Sequence, residues 1–376
     1  MIHGLLLVCV CVQAPTTAPT TAPASRPAVV RIGLLPPGKG NPRNSEGDFI
    51  RLRDGRILLV YTRFTGGGSD HAAAHLAGRV SRDGGLTWSK NDTLVVANEG
   101  KMNVMSVSLL RLADGRIALF YLRKNSTRDC RPRLRISGDE AATWGPPSDV
   151  IGERDMGYYV LNNDRVVQLR GGRLVVPVAR HAADGFAWNA AAEVLCWLSD
   201  DAGRTWRPSK GLLNPRGRKD RVLLQEPGVV ELRDGRVMMF LRTNRGSQYV
   251  CHSRDAGETF SRPRPSNLRS PVSPASIERI PSTGHLLCVW NDHRDVDAAH
   301  KGKRTPLRIA VSRDEGTTWT LVRTLEDDPG GWYCYTAIAF VGPRVLLAHC
   351  AGQRRTGGLN RTQITAVDLA WLYGKR

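Results

Sequence analysis

Ser81-Arg-Asp-Gly-Gly-Leu-Thr-Trp88 lies between two strand-like runs. The same form returns as Ser137-Gly-Asp-Glu-Ala-Ala-Thr-Trp144, Ser199-Asp-Asp-Ala-Gly-Arg-Thr-Trp206, Ser253-Arg-Asp-Ala-Gly-Glu-Thr-Phe260 and Ser312-Arg-Asp-Glu-Gly-Thr-Thr-Trp319. The shared pattern is S-x-D-x-G-x-T-W, with Ala141 for glycine in the second copy and Phe260 for tryptophan in the fourth. Successive copies start 56, 62, 54 and 59 residues apart. A near-constant period of this size marks a repeat architecture. Turn chemistry accounts for every position: Ser and Asp side chains bond turn backbone, and Trp packs between sheets. The motif is therefore read as structural.

A second pattern interleaves with the first. Leu-x-Asp-Gly-Arg followed by an apolar run occupies Leu52 to Tyr61, Leu112 to Tyr121 and Leu232 to Leu241. Looser versions run from Leu169 to Pro177, Ile280 to Trp290 and Val341 to Ala348, making six. Asp-Gly between apolar runs signals a hairpin, because glycine adopts positive φ at little cost. Each unit reads as four antiparallel strands, and six such units predict an all-β, six-bladed β-propeller. The sixth unit lacks the S-x-D-x-G-x-T-W turn. Its missing strand is expected from Val29–Leu34 or from Gln363–Leu369.

Composition bounds the function. Lys and Arg number 54 against 35 Asp and Glu, a formal net charge of +19. No run of five or more basic residues occurs, so nucleic acid is not an expected partner. Scattered arginines suit a solvated surface, with a few free to converge on an anionic substrate. The start, 1–28, reads as a signal peptide and a Pro/Thr/Ala-rich spacer ahead of a propeller over 29–376, which predicts export. No other segment is apolar enough to span a membrane. Cys9 and Cys11 lie in that leader, and the other six cysteines show no metal-ligand spacing. Disulfides are compatible with export, but spacing does not pair these cysteines. His71 and His75 sit four apart with no glutamate between them and no expected helix, so they are not read as a metalloprotease pair.

The repeated turn is the Asp box, and the chain from about Pro42 to Gly352 resembles the sialidase superfamily, its exo-sialidases in particular. The resemblance implies a retaining glycosidase. Three arginines clamp the substrate carboxylate through bidentate pairs. A Tyr made nucleophilic by a Glu replaces the usual carboxylate nucleophile. An Asp protonates the leaving oxygen and then activates water.

Residue by residue, Gln225-Glu226-Pro-Gly-Val-Val through Leu241-Arg242 resembles the segment from catalytic Glu to second Arg. Glu226 is the expected base and Arg242 a clamp. Arg304, before the last Asp box, is the expected third clamp, with Arg308 and Arg294 as rivals. Tyr335 in Tyr333-Cys-Tyr335-Thr is the expected nucleophile, with Tyr333 as the alternative. Arg43 holds the first Arg position, but Asn44 and Ser45 stand where the family shows Ile-Pro, and Glu46 and Asp48 add carboxylates. Asp70, in the loop Gly66-Gly-Gly-Ser-Asp70, is the expected acid/base. Arg180, His181, Tyr158, Tyr159, Asn162 and Trp188 are candidates for the rim. The implied activity is exo-α-sialidase hydrolysis of terminal sialic or other nonulosonic acids from glycans, with no cofactor. The alternative is a propeller that binds glycans without turnover or acts on another acidic sugar. Linkage preference and oligomeric state are left open.

Overall fold

The computed structural model describes residue 1, residues 27–217, residue 219 and residues 221–374. The leader and spacer expected at 1–28 lie outside the described residues, save for residues 1, 27 and 28. The described chain is all β, apart from two single-turn 3-10 segments and one short helix, Leu369–Leu372. No helix among the described residues is long and apolar enough to cross a membrane.

The strands follow the expected four-strand units. After β1 (Val29–Leu35), one sheet comprises β2 (Arg43–Arg51), β3 (Ile57–Phe64), β4 (Ala74–Ser81) and β5 (Thr93–Val96). A longer sheet begins with β6 (Asn103–Arg111), β7 (Ile117–Lys124), β8 (Cys130–Ser137) and β9 (Ser148–Asp149). It continues through β10 (Gly157–Val160), β11 (Val167–Gln168), β12 (Leu174–Ala183), β13 (Glu193–Ser199) and β14 (Arg207–Pro208). Within it, β10 joins two antiparallel runs by pairing parallel with β8 and antiparallel with β12. The next sheet holds β15 (Leu224–Glu231), β16 (Val237–Thr243), β17 (Ser247–Ser253) and β18 (Arg264–Arg269). Another holds β19 (Ser276–Arg279), β20 (Leu286–Asn291), β21 (Leu307–Ser312) and β22 (Thr320–Glu326). The last contains β23 (Gly331–Val341), β24 (Arg344–Gln353) and β25 (Thr362–Asp368), and β1 completes it by pairing with β25. Both segments expected as sources of the missing strand are used, so the first and last strands of the fold are hydrogen-bonded to each other.

Local chemistry explains the repeats. In the Asp-Gly-Arg hairpins, Leu52 N donates to Arg56 O at 2.8 Å and Asp54 accepts from Arg56 N at 3.0 Å. Gly55 takes φ +88, a value open to glycine. In the Asp-box turn, Ser253 Oγ donates to Asp255 at 2.7 Å and accepts from Gly257 N at 2.8 Å. Asp255 in turn accepts from Thr259 N at 2.9 Å and Thr259 Oγ1 at 2.6 Å. All five copies repeat this Ser–Asp contact. Ala141 keeps the left-handed backbone of the glycine it replaces, with φ +63.

The sheets are joined by buried apolar layers and by a repeated ionic clamp. Phe120 meets Trp206 edge-on at 6.0 Å, across two successive four-strand runs. Arg111, at the end of β6, donates to both oxygens of Glu140 and to Arg51 O of the preceding sheet, while Glu140 accepts Arg53 N. Arg279, Glu315, Glu231 and Arg233 repeat the arrangement between two later sheets. Arginines at strand ends and hairpins thus contribute to sheet-to-sheet contacts.

The first strands β2, β6, β15 and β23 share one irregularity. Each has a bulge, at Glu46, Ser106, Glu226 and Tyr335 respectively. Those four residues have φ of +55, +57, +47 and +57. Non-glycine residues there cost about 1–3 kcal/mol each and persist only where the surroundings over-determine them. Asn163 helps do so: its Nδ2 donates to Gly47 O at 2.9 Å and Tyr335 O at 3.1 Å, tying two bulges together.

Ser253→Ala tests the structural reading of the Asp box. It strands the buried Gly257 N–H, and urea unfolding should show a loss of about 1–3 kcal/mol. Any ligand binding per folded molecule should be unchanged; weaker binding at unchanged stability would refute the reading.

Candidate active site

The bulges bring expected residues from distant parts of the chain together. Glu226 Oε1 accepts from Tyr335 Oη at 3.1 Å and from Arg242 Nη1 at 2.8 Å. Arg304 lies with its guanidinium carbon 5.3 Å from the Tyr335 ring and 5.0 Å from the Trp332 ring. Its Nη1 donates to Cys334 Sγ at 3.0 Å. Glu226 Oε2 and Arg242 Nε are buried and have no hydrogen-bond partner within the protein. A buried group without a partner is costly, so this corner has capacity for polar ligand atoms.

The rivals fall elsewhere. Arg294 and Arg308 both pair with Asp292, at 2.7 and 3.1 Å. Tyr333 is buried in the apolar core beside His349. The bulge after Cys334 breaks the simple alternation of strand faces, and the structure sends Tyr335 to Glu226 and Tyr333 to the core.

Arg43 and Asp70 form the opposite side. Arg43 is buried, and its fork is filled from within the chain. Nη1 donates to Asp70 at 2.5 Å and to Gly68 O at 3.2 Å, Nη2 to Glu46 at 2.9 Å, and Nε to Ser45 at 2.9 Å. The second oxygen of Glu46 accepts from Ser106 Oγ at 3.0 Å. Glu46 therefore neutralises Arg43. Asp48 does not: it accepts Phe49 N and Leu109 N, linking β2 to β6. The Asp70 side chain stays 57 % exposed. Its glycine-rich loop is pinned: the Asp70 carbonyl accepts from Asn103 Nδ2 at 2.9 Å and Lys124 Nζ at 2.7 Å.

The rim candidates divide. His181 stacks on Trp188 at 5.3 Å, and Tyr158 meets His181 edge-on at 6.4 Å. Trp188 remains 54 % exposed. Tyr158 and Tyr159 both belong to the core, and Arg180 is paired with Glu193. Asn162 is buried and bonds Asn163 N. Ser106, Asn103, Lys124 and Asn163 were not foreseen. A signal existed for two of them: Asn103 and Ser106 stand where Arg43 and Glu46 stand, if units are aligned on Leu52 and Leu112.

Electrostatics separates the groups. Burial pushes the Glu226 carboxyl up, but Arg242 and Arg304 more than offset it and hold it below its ordinary value. Burial and then the Glu226 charge drive the Tyr335 phenol far above its ordinary value. Asp70 is also held low, Arg43 outweighing partial desolvation. Burial opposes the charge on Arg43, which Glu46 and Asp70 restore.

A second acidic group lies in a channel of about 650 Å³ lined by Asp48, Asp164 and Glu278 together with apolar walls. Asp164 Oδ2 accepts Ile338 N at 2.9 Å, bridging to β23. Burial pushes Asp164 up to about 6, with Glu278 and Arg165 acting the other way. Burial raises Asp48 and Glu278 too.

Known proteins place this architecture. Residues 64–343 match the family model described as a BNR repeat-like domain. A protein of unknown function from Dyadobacter fermentans is 19% identical, with a TM-score of 0.70, covering 91% of this chain and 100% of that one. A leech intramolecular trans-sialidase is 15% identical, with a TM-score of 0.69, covering 89% and 69%. Trypanosoma rangeli sialidase, in its covalent intermediate with 2,3-difluorosialic acid, is 15% identical, with a TM-score of 0.70, covering 93% and 60%. At these identities the likeness is one of fold: a propeller-type all-β architecture.

The channel acids give a pH prediction. Asp164 titrates higher folded than unfolded, so its stability contribution is present below about pH 4 and is lost as pH rises through about 6. Asp48 and Glu278 add the same sign. Relative to Asp164→Asn, which suits the left-handed backbone at φ +56, the wild type should lose stability in denaturant between about pH 4 and 6, the buried histidines held low, such as His181 and His349, acting the opposite way in both proteins alike. An equal slope in the two proteins would rule Asp164 out as the source of that loss.

Proposed function

Since the chain belongs to the BNR repeat-like domain family and has the fold of the sialidases, we propose that it is a retaining exo-α-sialidase acting on terminal sialic or related nonulosonic acids of glycans. In this reading the six antiparallel runs are six blades around the channel, and the leader marks the protein for export. The observation that carries the proposal is the hydrogen bond from Tyr335 Oη to Glu226 Oε1, beside Arg242 and Arg304.

The mechanism follows from these contacts. Tyr335 is neutral at rest, because burial and Glu226 oppose its ionisation. Glu226, kept ionised by its arginines, takes the phenolic proton as Tyr335 Oη attacks the anomeric carbon. A neutral phenol suits this substrate better than a carboxylate, which the sugar's own carboxylate would repel. Arg242 and Arg304 hold that carboxylate. Asp70 gives its proton to the leaving oxygen. In the second half-reaction it accepts a proton from the water that releases the sugar. Asp70 is ion-paired at rest, so it must first take up a proton. A substrate anion that draws Arg43 away raises its proton affinity.

A second reading stays open because Glu46 occupies part of the Arg43 fork. That arrangement favours an acidic sugar other than sialic acid, or binding without turnover.

The test is release of a fluorescent aglycone from a generic α-sialoside. Wild type should turn over, and Tyr335→Phe should lose at least about a hundredfold in kcat with folding intact, since the Tyr–Glu proton transfer is removed. Well-folded wild type without turnover would favour the second reading. kcat/KM should also fall as pH rises above the depressed Asp70 value of the free enzyme, and kcat should fall at higher pH, where the substrate complex has drawn Arg43 away. A rate that climbs with pH would contradict Asp70 as the acid.

A further inference from the structure

Cys334 immediately precedes Tyr335 on β23, and Cys350 is its Cα partner on β24, the last pair before the bulge. Directly opposed residues in an antiparallel ladder have Cα atoms about 4.5–5.5 Å apart, within the roughly 4.4–6.8 Å that a disulfide spans. Both thiols are unbonded, and each residue is 1 % exposed. Each thiol perturbs the other's ionisation, Cys334 being held below and Cys350 well above the ordinary thiol value. Cys130, Cys196, Cys251 and Cys288 each face a non-cysteine residue in their ladders. The pairing that spacing could not supply is thus given by register.

We propose that Cys334 and Cys350 are a disulfide-forming modification site beneath Tyr335, and that closing it releases Arg304 for a substrate carboxylate. The oxidant is a low-molecular-weight disulfide. Cys334 is the attacking thiolate. Burial pushes this thiol up, but the neighbouring Cys350 and Arg304, which donates to its sulfur, hold it below the ordinary thiol value. Its sulfur bonds to one sulfur of the oxidant and expels the other as a thiolate. Cys350 then loses its proton and attacks Cys334 Sγ, expelling the second thiolate. The two cysteines lose two protons and two electrons, and the oxidant becomes two thiols.

The consequence runs through Arg304. In the dithiol form Cys334 Sγ holds Arg304 Nη1 at 3.0 Å. A disulfide sulfur carries no charge and accepts hydrogen bonds weakly, so that donor is freed while the guanidinium stays over Trp332 and Tyr335. The cross-link rests on geometry alone, whereas its effect on affinity rests on the anion-site reading above.

Because the pair is closed to solvent in the folded chain, the reduced protein is refolded with oxidised glutathione or with dithiothreitol, then unfolded, alkylated and digested with trypsin, which cuts between the two cysteines at Arg344. The expected product is one cross-linked pair, Thr324–Arg344 with Val345–Arg354, lighter by two hydrogens, with Cys130, Cys196, Cys251 and Cys288 alkylated. N-acetylneuraminic acid should bind the oxidised protein about three- to tenfold more tightly than the reduced protein, the worth of one competing hydrogen bond. Cys350→Ser, which keeps Cys334 against Arg304, should show neither cross-link nor redox-dependent affinity. Full alkylation of both cysteines after glutathione treatment overturns the proposal, and so does a different pairing. A cross-link with equal affinity in both forms overturns the role given to Arg304. A cross-link with no binding in either form supports the modification site and counts against the sialic-acid reading.

Discussion

Everything at the candidate site depends on holding side chains in backbone conformations that they disfavour. Glu46, Ser106, Glu226 and Tyr335 all sit at positive φ in bulges of first strands. A regular strand would send alternate residues to its two faces. The bulge adds a residue and re-aims one side chain without disturbing the apolar pairing on either side. The strain is sustained by contacts that no single sheet supplies. Asn163 bonds two of the bulges, Ser276 donates to Thr336 O within one of those two, and Ser106 N is held by Thr62. The sheets must therefore be assembled before the site exists.

Charge is distributed unevenly around that frame. Glu226 answers to two arginines and keeps one buried oxygen unpartnered, whereas Arg43 answers to two carboxylates and has little left to offer. The three arginines are thus not equivalent. Arg242 keeps a buried Nε without a partner, Arg304 donates to Cys334 Sγ, and the Arg43 fork is filled by Asp70 and Glu46. The substitution of Glu46 into this site is what distinguishes the two sides.

The fold was legible because its signals are local and repeated. Asp-Gly-Arg and S-x-D-x-G-x-T-W each encode a turn whose bonds lie within a few residues, so periodicity alone gave the four-strand units. Glu226, Arg242 and Tyr335 were legible through resemblance, and Arg304 could be told from Arg294 and Arg308 only in three dimensions, where Asp292 claims both rivals. The bulges were not read, although they leave a trace. Glu46, Ser106, Glu226 and Tyr335 each lie six residues before the hairpin's first apolar residue, at Leu52, Leu112, Leu232 and Val341. Asn163 and the channel acids gave no such trace, because their partners are remote in sequence and their burial is set by packing of whole sheets.

The central claim is that Tyr335, activated by Glu226, is the nucleophile. Incubation with 2,3-difluorosialic acid followed by peptide mass analysis tests it most directly. The account predicts one sugar attached to the Thr324–Arg344 peptide through Tyr335 Oη. An adduct on Tyr333, Asp70 or Glu226, or an unmodified protein that still hydrolyses an α-sialoside, would contradict it.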